Sequence, residues 1–462
     1  LAANVENLYL AVTGAATLTG NELANSLRGN AGDDLLSGQA GNDTLNGGLG
    51  ADTLVGGPGD DHYTVDQTGD RVVEAADEGN DIVHSPISWV LGDHLERLDL
   101  TGSDPVDATG NDLANLLYGQ ANSAANVLAG GPGNDIYHLG VGDRAVENAD
   151  QGHDSVYGYG NEHTLAANVE NLYLAVTGAA TLTGNELANS LRGNAGDDLL
   201  SGQAGNDTLN GGLGNDLLEG GSGNDTLTDS SGSTLFNGDA GNDILSGGAD
   251  AEIYLGGVGN DTLRTGAGND VIIFNRGDGR DTLVASDSGQ CVLSLGGSVA
   301  YTDLSFSRSN GDLIVTIGSG DQITFKDWYA AGPNPAIRSV LRLQVIAEAM
   351  ADFDAGGGDP LRDQKVETFD FAGLVDAFDA ARSADPTLTH WALSDALTRF
   401  QLAGSDSAAL GGDLAYQYGR NGSLTGIGVT PAMGVLADPA FGNSAQALTP
   451  LVGLQVGTQR LA

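Results

Sequence analysis

Aspartate recurs with a period of nine residues along two stretches of the chain, each time after closely spaced glycines and two positions before an apolar residue. One repeat reads Gly38-Gln-Ala-Gly41-Asn-Asp43-Thr-Leu45-Asn. The glycines permit positive φ and close backbone approach, so a short loop can turn its carbonyl oxygens toward one point, where the aspartate adds a charge. Carboxylate and carbonyl oxygens are the ligands that Ca²⁺ prefers. The spacing therefore predicts a series of loops that bind a hard cation.

The candidate ligands form two long arrays and a short group between them. The aspartates assigned as metal ligands are Asp34, Asp43, Asp52, Asp61, Asp135, Asp198, Asp207, Asp216, Asp225, Asp243, Asp261 and Asp270. The glycines assigned to the loops are Gly38, Gly41, Gly47, Gly50, Gly56, Gly59, Gly202, Gly205, Gly211, Gly214, Gly220, Gly223, Gly238, Gly241, Gly256, Gly259 and Gly268. Thr234 and Glu252 replace aspartate in the second array, which predicts weakened sites there.

The apolar residue of each repeat indicates which element positions the loops. It recurs every nine residues, as a short strand with one inward side chain requires, at Leu200, Leu209, Leu218, Leu227, Phe236 and Leu245. Such a repeat is typical of a parallel β-helix with a thin apolar core.

Two longer units separate the arrays. They begin at Asp61-His-Tyr63 and Asp135-Ile-Tyr137, 74 residues apart, and align as one module used twice. Alternating apolar positions predict half-buried strands. We expect these turns to continue the solenoid with little or no metal. The short group of Asn115, Asn126 and Asp135 is expected to be a weak calcium array at best, because two of its acidic positions are amides.

The pattern changes after about residue 281. Val292 to Phe325 alternates apolar and polar residues around Ser309-Asn-Gly-Asp312, which predicts a small β cap over the end of the solenoid. From about residue 336 the spacing is helical, first at Val340, Leu341, Leu343, Val345 and Ile346, and then over Phe369 to Ala381 and Leu388 to Leu402.

These boundaries define six expected regions. They are a calcium-binding roll over 1–66, degenerate roll modules over 67–134 and 135–192, a second calcium-binding roll over 193–284, a β cap over 285–335, and a C-terminal helical extension over 336–462. The fold class predicted is all-β, with a parallel solenoid, a β cap and a partly helical C-terminal extension. Residues 1–50 recur identically at 165–214, so we expect the chain to begin inside a repeat unit and to be truncated.

Composition narrows the classes of function. The 462 residues include 62 acidic and 18 basic ones, a formal charge of -44, which repels itself in a compact state unless cations bind. Nucleic acid and anionic membranes are therefore poor partners. With one cysteine, Cys291, no intramolecular disulfide can form. The sequence contains no apolar run of about 18 residues that could span a bilayer, so membrane insertion is not expected. It also has no recognisable N-terminal signal peptide.

These repeats resemble the RTX (repeats-in-toxin) haemolysin-type calcium-binding family over roughly residues 20 to 345, most closely over 193 to 284. Phe274-Asn-Arg-Gly-Asp278-Gly-Arg-Asp281, running on to Asp327-Trp328, also resembles the family's usual exit from the repeats. The resemblance implies a right-handed parallel β-roll, multiple calcium ions, and export by type I secretion machinery through an uncleaved C-terminal signal.

The resemblance further implies that two nonapeptides make one turn, so that repeats n and n+2 stack. Calcium is then expected to be continuous along Asp207, Asp225, Asp243 and Asp261 and interrupted on the opposite edge. In the first array the pairs are Asp43 with Asp61 and Asp34 with Asp52.

Several functions fit such a chain. The preferred one is secretion, folding and extracellular display of a surface adhesin or S-layer protein, with self-association or a cell-surface or host ligand left open. The alternative is the C-terminal module of a secreted protease, lipase, alginate epimerase or toxin. The chain itself is expected not to be an enzyme, since His-Glu-x-x-His and Gly-x-Ser-x-Gly do not occur. The last sixty residues or so are expected to hold the secretion signal, and a helical anchoring domain is the alternative.

Two further motifs have competing interpretations. Arg276-Gly-Asp278 could be a cell-attachment tripeptide, but its place inside the repeat exit favours a structural role. The aromatic residues Phe306, Phe325, Trp328 and Tyr329 could form a carbohydrate platform, but their alternating strand positions favour core packing.

Overall fold

The computed structural model describes residues 1–284, 289–318, 320–329, 339–448 and 461. The chain divides into two compact units, Leu1–Val176 and Thr177–Ala462, which are described separately. Residues 285–288 and 330–338, near the expected limits of the cap, lie outside the described residues. So do residues 449–460 and 462 of the expected secretion signal.

The first unit consists of short strands. In chain order they are β1 (Asn7–Tyr9), β2 (Thr17–Thr19), β3 (Ser26–Ala31), β4 (Leu35–Ser37), β5 (Thr44–Leu49), β6 (Thr53–Val55), β7 (His62–Thr64), β8 (Arg71–Val73), β9 (Ile82–Ser85), β10 (Trp89–Val90), β11 (Arg97–Leu100), β12 (Asp107–Thr109), β13 (Leu116–Tyr118), β14 (Val127–Ala129), β15 (Ile136–Leu139), β16 (Arg144–Val146), β17 (Ser155–Gly158), β18 (Glu162–Thr164) and β19 (Asn171–Leu174).

All strand pairs within the first unit that the structure describes are parallel. One sheet runs from β1 through β3, β5 and the remaining odd-numbered strands to β19. On the other side, β2, β4, β6 and β8 form one sheet, and β10, β12, β14 and β16 form another. In the array, Leu27 pairs with Leu45 and Leu36 with Leu54, so one turn contains two nonapeptides.

The described residues of the second unit form the remaining strands and four α-helices. The strands are β20 (Thr181–Thr183), β21 (Ser190–Arg192), β22 (Leu199–Ala204), β23 (Thr208–Asn210), β24 (Leu217–Ser222), β25 (Thr226–Thr228), β26 (Leu235–Gly241), β27 (Ile244–Ser246), β28 (Ile253–Leu255), β29 (Val258–Gly259), β30 (Thr262–Arg264), β31 (Val271–Asn275), β32 (Arg280–Val284), β33 (Cys291–Gly296), β34 (Leu304–Ser309), β35 (Asp312–Ile317), β36 (Asp321–Phe325), β37 (Val340–Val345), β38 (Val366–Asp370), β39 (His390–Ala392), β40 (Gln401–Ser405), β41 (Ala408–Ala409) and β42 (Gln446–Ala447). The helices are α1 (Phe371–Ala384), α2 (Leu397–Phe400), α3 (Gly412–Asn421) and α4 (Val429–Leu436), with 3₁₀ turns at Tyr301–Asp303 and Ala347–Ala349.

The second unit is also a parallel solenoid, with a different ending. One sheet runs in parallel through β21, β23, β25, β27, β30, β32 and β36 and continues with the antiparallel strands β35, β34 and β39. The other runs in parallel through β20, β22, β24, β26, β28, β31, β33 and β37 and ends in antiparallel β38 and β40. The predicted parallel solenoid and the stacking of alternate repeats are therefore confirmed.

The apolar core is the predicted row of inward side chains. Leu200, Leu218 and Phe236 stack on one side of the second unit, and Leu209 and Leu227 on the other, all fully buried. Each turn contributes only two such side chains. A core this thin buries little apolar area per residue, so it leaves the loops to supply much of the stability.

An antiparallel hairpin closes one sheet of the second unit. β34 and β35 pair around Asn310 and Gly311, both with positive φ, as the predicted turn requires. Phe306, Phe325 and Trp328 are buried against α1, which confirms the prediction of core packing for these three residues. The fourth residue, Tyr329, is half-buried, and the Arg308 guanidinium lies 3.9 Å from the centroid of its ring.

Two helical predictions for the C-terminal region were wrong, one near residue 340 and one over Leu388 to Leu402. Val340–Val345 is the strand β37, not part of a helix, because it pairs with β33 on one side and β38 on the other. A run of apolar residues fits both periods when it is short, and sheet pairing decided between them. The helix expected over Phe369 to Ala381 is present as α1, while Leu388 to Leu402 holds β39, the short α2 and the start of β40.

The C-terminal helices α3 and α4 cover the solenoid of the second unit. Their side chains Leu414, Ala415 and Leu436 share one buried cluster with residues from five successive turns, Leu199, Leu217, Leu235, Ile253 and Val271. Each of these five stands directly after the metal-loop position of its turn. The extension is thus part of the folded unit and not an appendage.

Candidate calcium-binding ladders

The loop aspartates of the second unit are joined into a hydrogen-bonded ladder. The backbone N–H of Asp207 donates to Oδ1 of Asp225 at 2.8 Å, and that of Asp225 donates to Oδ1 of Asp243 at 2.7 Å. Asn189 begins this series and Asp261 continues it to Asp281. Each aspartate therefore uses one oxygen to fix the loop of the preceding turn.

The other carboxylate oxygen of most ladder residues is buried and has no hydrogen-bond partner. This holds for Oδ2 of Asp34, Asp43, Asp52, Asp61, Asp135, Asp207, Asp216, Asp225, Asp243 and Asp261. A buried carboxylate oxygen left without a partner is strongly unfavourable. A row of such oxygens is what a series of bound cations would satisfy.

A glycine leaves the space that each of these oxygens faces. A Cβ added to Gly202 would lie 2.3 Å from Oδ2 of Asp207 and 2.6 Å from the carbonyl oxygen of Gly220. The loop therefore brings a charged oxygen and a carbonyl oxygen to one place, as hard cations require. Gly205, in the same loop, has φ of +117°, which other residues adopt only with strain.

Burial changes the protonation of these carboxyl groups. Burial, with a smaller contribution from the neighbouring carboxylate of Asp225, raises the pKa of Asp207 to about 7. The same causes raise the pKa of Asp243 to about 8. Without a cation, such groups would carry protons near neutral pH. A cation that bound to these oxygens would therefore have to compete with protons.

The opposite edge of the second unit is irregular at Thr234 and Glu252, the two positions where the sequence predicts weakened sites. Its ladder runs from Ala180 through Asp198 to Asp216 and resumes at Glu252, whose backbone N–H donates to Asp270. Glu252 is buried, and its Oε1 has no hydrogen-bond partner. Its longer side chain therefore still offers a carboxylate oxygen to its loop.

At Thr234 a second substitution supplies the missing carboxylate. Asp229 stands five residues earlier, at the place where the neighbouring turns have Gly193 and Gly211. Its Oδ2 accepts a hydrogen bond from the Thr234 hydroxyl, and its carboxyl group interacts directly with that of Asp216. The Asp229 side chain fits at this glycine position because Thr234 is too short to fill the space that aspartate occupies in other turns. Sequence reasoning missed Asp229 because it followed only the aspartate position.

The first unit has ladders of the same kind. Asn25, Asp43 and Asp61 are linked in order on one edge, and Asp34 and Asp52 on the other. These links include both predicted pairs. The backbone N–H of Asp43 donates to Oδ1 of Asp61 at 2.6 Å, and that of Asp34 donates to Oδ1 of Asp52 at 2.7 Å. Each predicted loop carboxylate is buried in the structure.

The ladders also extend beyond the nonapeptides. The backbone N–H of Asp61 donates to Asp81, that of Asp135 donates to Asp154, and that of Asp52 donates to Asp70. Asp81 and Asp154 were not among the predicted ligands because insertions lengthen their turns to 20 and 19 residues. Asp70 keeps the 18-residue spacing from Asp52 and was missed because its module was taken as degenerate. A Gly-x-Asp tripeptide at Gly79–Asp81 and Gly152–Asp154 was the available sequence signal.

The Arg276-Gly-Asp278 tripeptide has the structural role that was favoured. Asp278 is buried and accepts a hydrogen bond from the backbone N–H of Asn275, while Arg276 forms an ion pair with Asp303. A cell-attachment tripeptide would have to expose both charges.

Stacked loops of acidic residues on a parallel solenoid define a β-roll. The family model that describes the RTX calcium-binding nonapeptide repeat (4 copies) matches residues 19–54, 28–63, 109–144, 183–218, 219–251 and 246–283. The chain therefore contains RTX calcium-binding nonapeptide repeats in both units, and these form a structural calcium-binding region. No match was found among curated proteins. Across the described residues, no helix has the length and apolar character needed to cross a bilayer.

Proposed function

We propose that this chain is a calcium-dependent folding module that becomes ordered when it meets extracellular calcium. The buried, unpartnered Oδ2 row of the ladders carries this proposal. Two carboxylates about 4 Å apart repel by roughly 4 kcal/mol at an effective dielectric constant of 20, so the stacked loops should not close without cations. Asp207 and its equivalents would hold Ca²⁺ through Oδ2, together with loop carbonyls such as that of Gly220.

The calcium concentration outside a cell would then control folding. Extracellular calcium modules bind with dissociation constants of about 10⁻⁴ to 10⁻³ M, which micromolar cytosolic calcium does not fill. At ten times the dissociation constant, each site adds about 1.4 kcal/mol, so some ten sites match the stability of a typical domain. The chain would stay extended during export by type I secretion and fold afterwards.

The test is a calcium titration of the purified chain, followed by circular dichroism and radius of gyration. We expect a cooperative collapse at about 0.1 to 1 mM calcium and no equivalent collapse with magnesium, which demands a smaller octahedral site. A compact fold that is unchanged by chelator would overturn the proposal.

For the biological role, we propose extracellular display of a large secreted protein, a surface adhesin or S-layer protein. The long array and the identical internal duplication support an extended surface scaffold. The alternative is the secretion and folding module of a secreted enzyme or toxin. Antibodies against the chain distinguish the two: binding to intact cells supports display, whereas material in the medium that co-purifies with hydrolytic activity supports the enzyme.

A further inference from the structure

Two three-carboxylate clusters lie in the modules that separate the arrays. In the first, ligand oxygens of Asp61, Glu74 and Asp81 lie within 4.8 Å of one another, and in the second the same is true of Asp135, Glu147 and Asp154. Within the described residues, only these two places bring three acidic, histidine or cysteine side chains so close together. One member of each cluster, Asp61 or Asp135, is a predicted loop ligand, and the other two lie in a module that was expected to bind little or no metal.

The duplicated module builds both clusters in the same way. In each cluster the first aspartate is a nonapeptide ladder residue, and the second continues its ladder one turn on, as Asp61 to Asp81 and Asp135 to Asp154. The glutamate follows the strand of the opposite sheet, Glu74 after β8 and Glu147 after β16.

A tyrosine in the core row holds each glutamate. The hydroxyl of Tyr63 donates to Oε1 of Glu74, and that of Tyr137 donates to Oε1 of Glu147. Tyr63 and Tyr137 are fully buried and stand where the nonapeptides place leucine. The tyrosine thus orients the glutamate, and the second oxygen of that carboxylate remains available.

Each cluster contains three oxygens that lack a hydrogen-bond partner. They are Asp61 Oδ2, Glu74 Oε2 and Asp81 Oδ2 in the first cluster, and Asp135 Oδ2, Glu147 Oε2 and Asp154 Oδ2 in the second. Asp61, Asp81 and Asp135 have no exposed surface at all. Three buried carboxylate oxygens that lack a donor repel one another, and either protons or a cation would remove that repulsion.

Most of the charges that act on the two clusters are negative; at Asp154 of the second cluster, where burial is the largest cause that raises the pKa, Glu170 also raises it and His153 lowers it. In the first cluster, burial is the largest cause that raises the pKa of Asp81. The negative charges of Asp60 and Glu78 raise it as well. Burial raises the pKa of Glu74 to about 8 and that of Glu147 to about 7. An oxygen separation of up to 4.8 Å suits a single Ca²⁺ bound at about 2.3 to 2.6 Å from each ligand.

We propose that Asp61, Glu74 and Asp81, and likewise Asp135, Glu147 and Asp154, each bind one calcium ion more tightly than the nonapeptide loops. This inference deepens the proposed function, and it rests on calcium being the ion that the chain takes up. Tighter binding follows because a site's affinity increases with its number of charged ligands. The two ions would be the first to bind, and each would fix the junction between a regular array and an irregular module.

The tyrosines make these sites visible with terbium, a trivalent calcium substitute with oxygen ligands. Tyr63 and Tyr137 contact the clusters directly, so terbium bound there should luminesce when tyrosine is excited. We expect the full chain to show a tight, tyrosine-sensitised phase of two ions that calcium displaces. Glu74→Gln with Glu147→Gln should weaken that phase at least about tenfold.

The matched control is Glu22→Gln with Glu162→Gln, which makes the same change of charge at two exposed residues. It should leave the tight phase unchanged. A tight phase that survives Glu74→Gln with Glu147→Gln, or the lack of any tight phase in the wild type, would overturn the inference and indicate protonated clusters. Calcium-induced collapse measured in parallel by circular dichroism tests the proposed function separately, because the array loops are intact in both variants.

Discussion

The backbone N–H of Asp207 donates to Oδ1 of Asp225 across 2.8 Å, although the two residues stand 18 positions apart. The same carboxylate has its Oδ2 buried without a partner. One oxygen therefore fixes the neighbouring turn and the other faces the proposed ion. Because each loop is held by the next, binding at one loop should favour binding at its neighbours.

Removing one charge from the ladder should weaken this cooperative uptake. Asp225→Asn keeps the size of the side chain and an oxygen for the Asp207 N–H but removes the charge. We expect the calcium midpoint of folding to rise at least about threefold, with a shallower transition. Circular dichroism during calcium titration measures both, and Asp112→Asn, at an exposed aspartate, is the control. Equal midpoints in the two variants would contradict a ligand role for Asp225.

Adding a single methyl group beside a loop carboxylate should lower both stability and calcium binding. Gly202→Ala places a methyl group 2.3 Å from Asp207 Oδ2 and 2.6 Å from the Gly220 carbonyl. Overpacking of this kind costs about 1–3 kcal/mol, and it should also remove bound calcium. Gly178→Ala is the matched control because a Cβ there meets nothing within 4 Å. Calorimetric titration and chemical denaturation should show a loss of ions and of stability for Gly202→Ala alone.

Asp229 and Thr234 should be replaceable together, but not singly, by the glycine and aspartate of a regular repeat. Asp229→Gly removes the carboxylate of that turn and should lower the number of bound calcium ions. The double variant Asp229→Gly with Thr234→Asp restores the regular repeat and should recover the wild-type number. Thr234→Asp alone should destabilise the turn, because two carboxylates would then crowd beside Asp216. Calcium counted by equilibrium dialysis decides, and an unchanged count in Asp229→Gly would contradict a ligand role for Asp229.

The C-terminal helices should depend on the calcium-bound roll. Leu414 in α3 is buried against the row that includes Leu217 and Leu235. Leu414→Ala should lower the free energy of unfolding by about 2–5 kcal/mol, whereas Leu402→Ala, at a residue 58% exposed, should change it little. Chelator should make residues 412–436 accessible to protease in the wild type. Protection that persists in chelator would show that the helices fold independently of calcium.

The response to pH should differ in sign with and without calcium. The folded pKa of Asp207 is about 7 and that of Asp243 about 8, against an ordinary value of 3.8. Without calcium, folding therefore favours the protonated form, so stability is greatest at acid pH and is lost as pH rises through about 7 to 8. With calcium, affinity should fall as pH drops below that range, since protons compete. Circular dichroism from pH 4 to 9, in chelator and in calcium, measures both trends, and parallel pH profiles would contradict this competition.

The nine-residue spacing of residues such as Asp207 and Leu209 was enough to predict the parallel solenoid, the thin core and the positions of most loop carboxylates. It succeeded because each strand has one inward side chain and each loop one acidic side chain, so local chemistry repeats with the chain. The antiparallel turn at Asn310 and Gly311 was predictable for the same local reason.

Tertiary structure decided what depends on residues far apart in the sequence. Sheet pairing made Val340–Val345 a strand, and stacking of turns brought Glu74 to Asp61 and Asp81. The row from Leu199 to Val271 recurs every 18 residues, but only the packing of α3 and α4 shows what covers it. A periodic sequence determines its own repeat, because each repeat contacts copies like itself. Contacts with the irregular modules and the C-terminal helices follow no period, so only the folded chain fixes them.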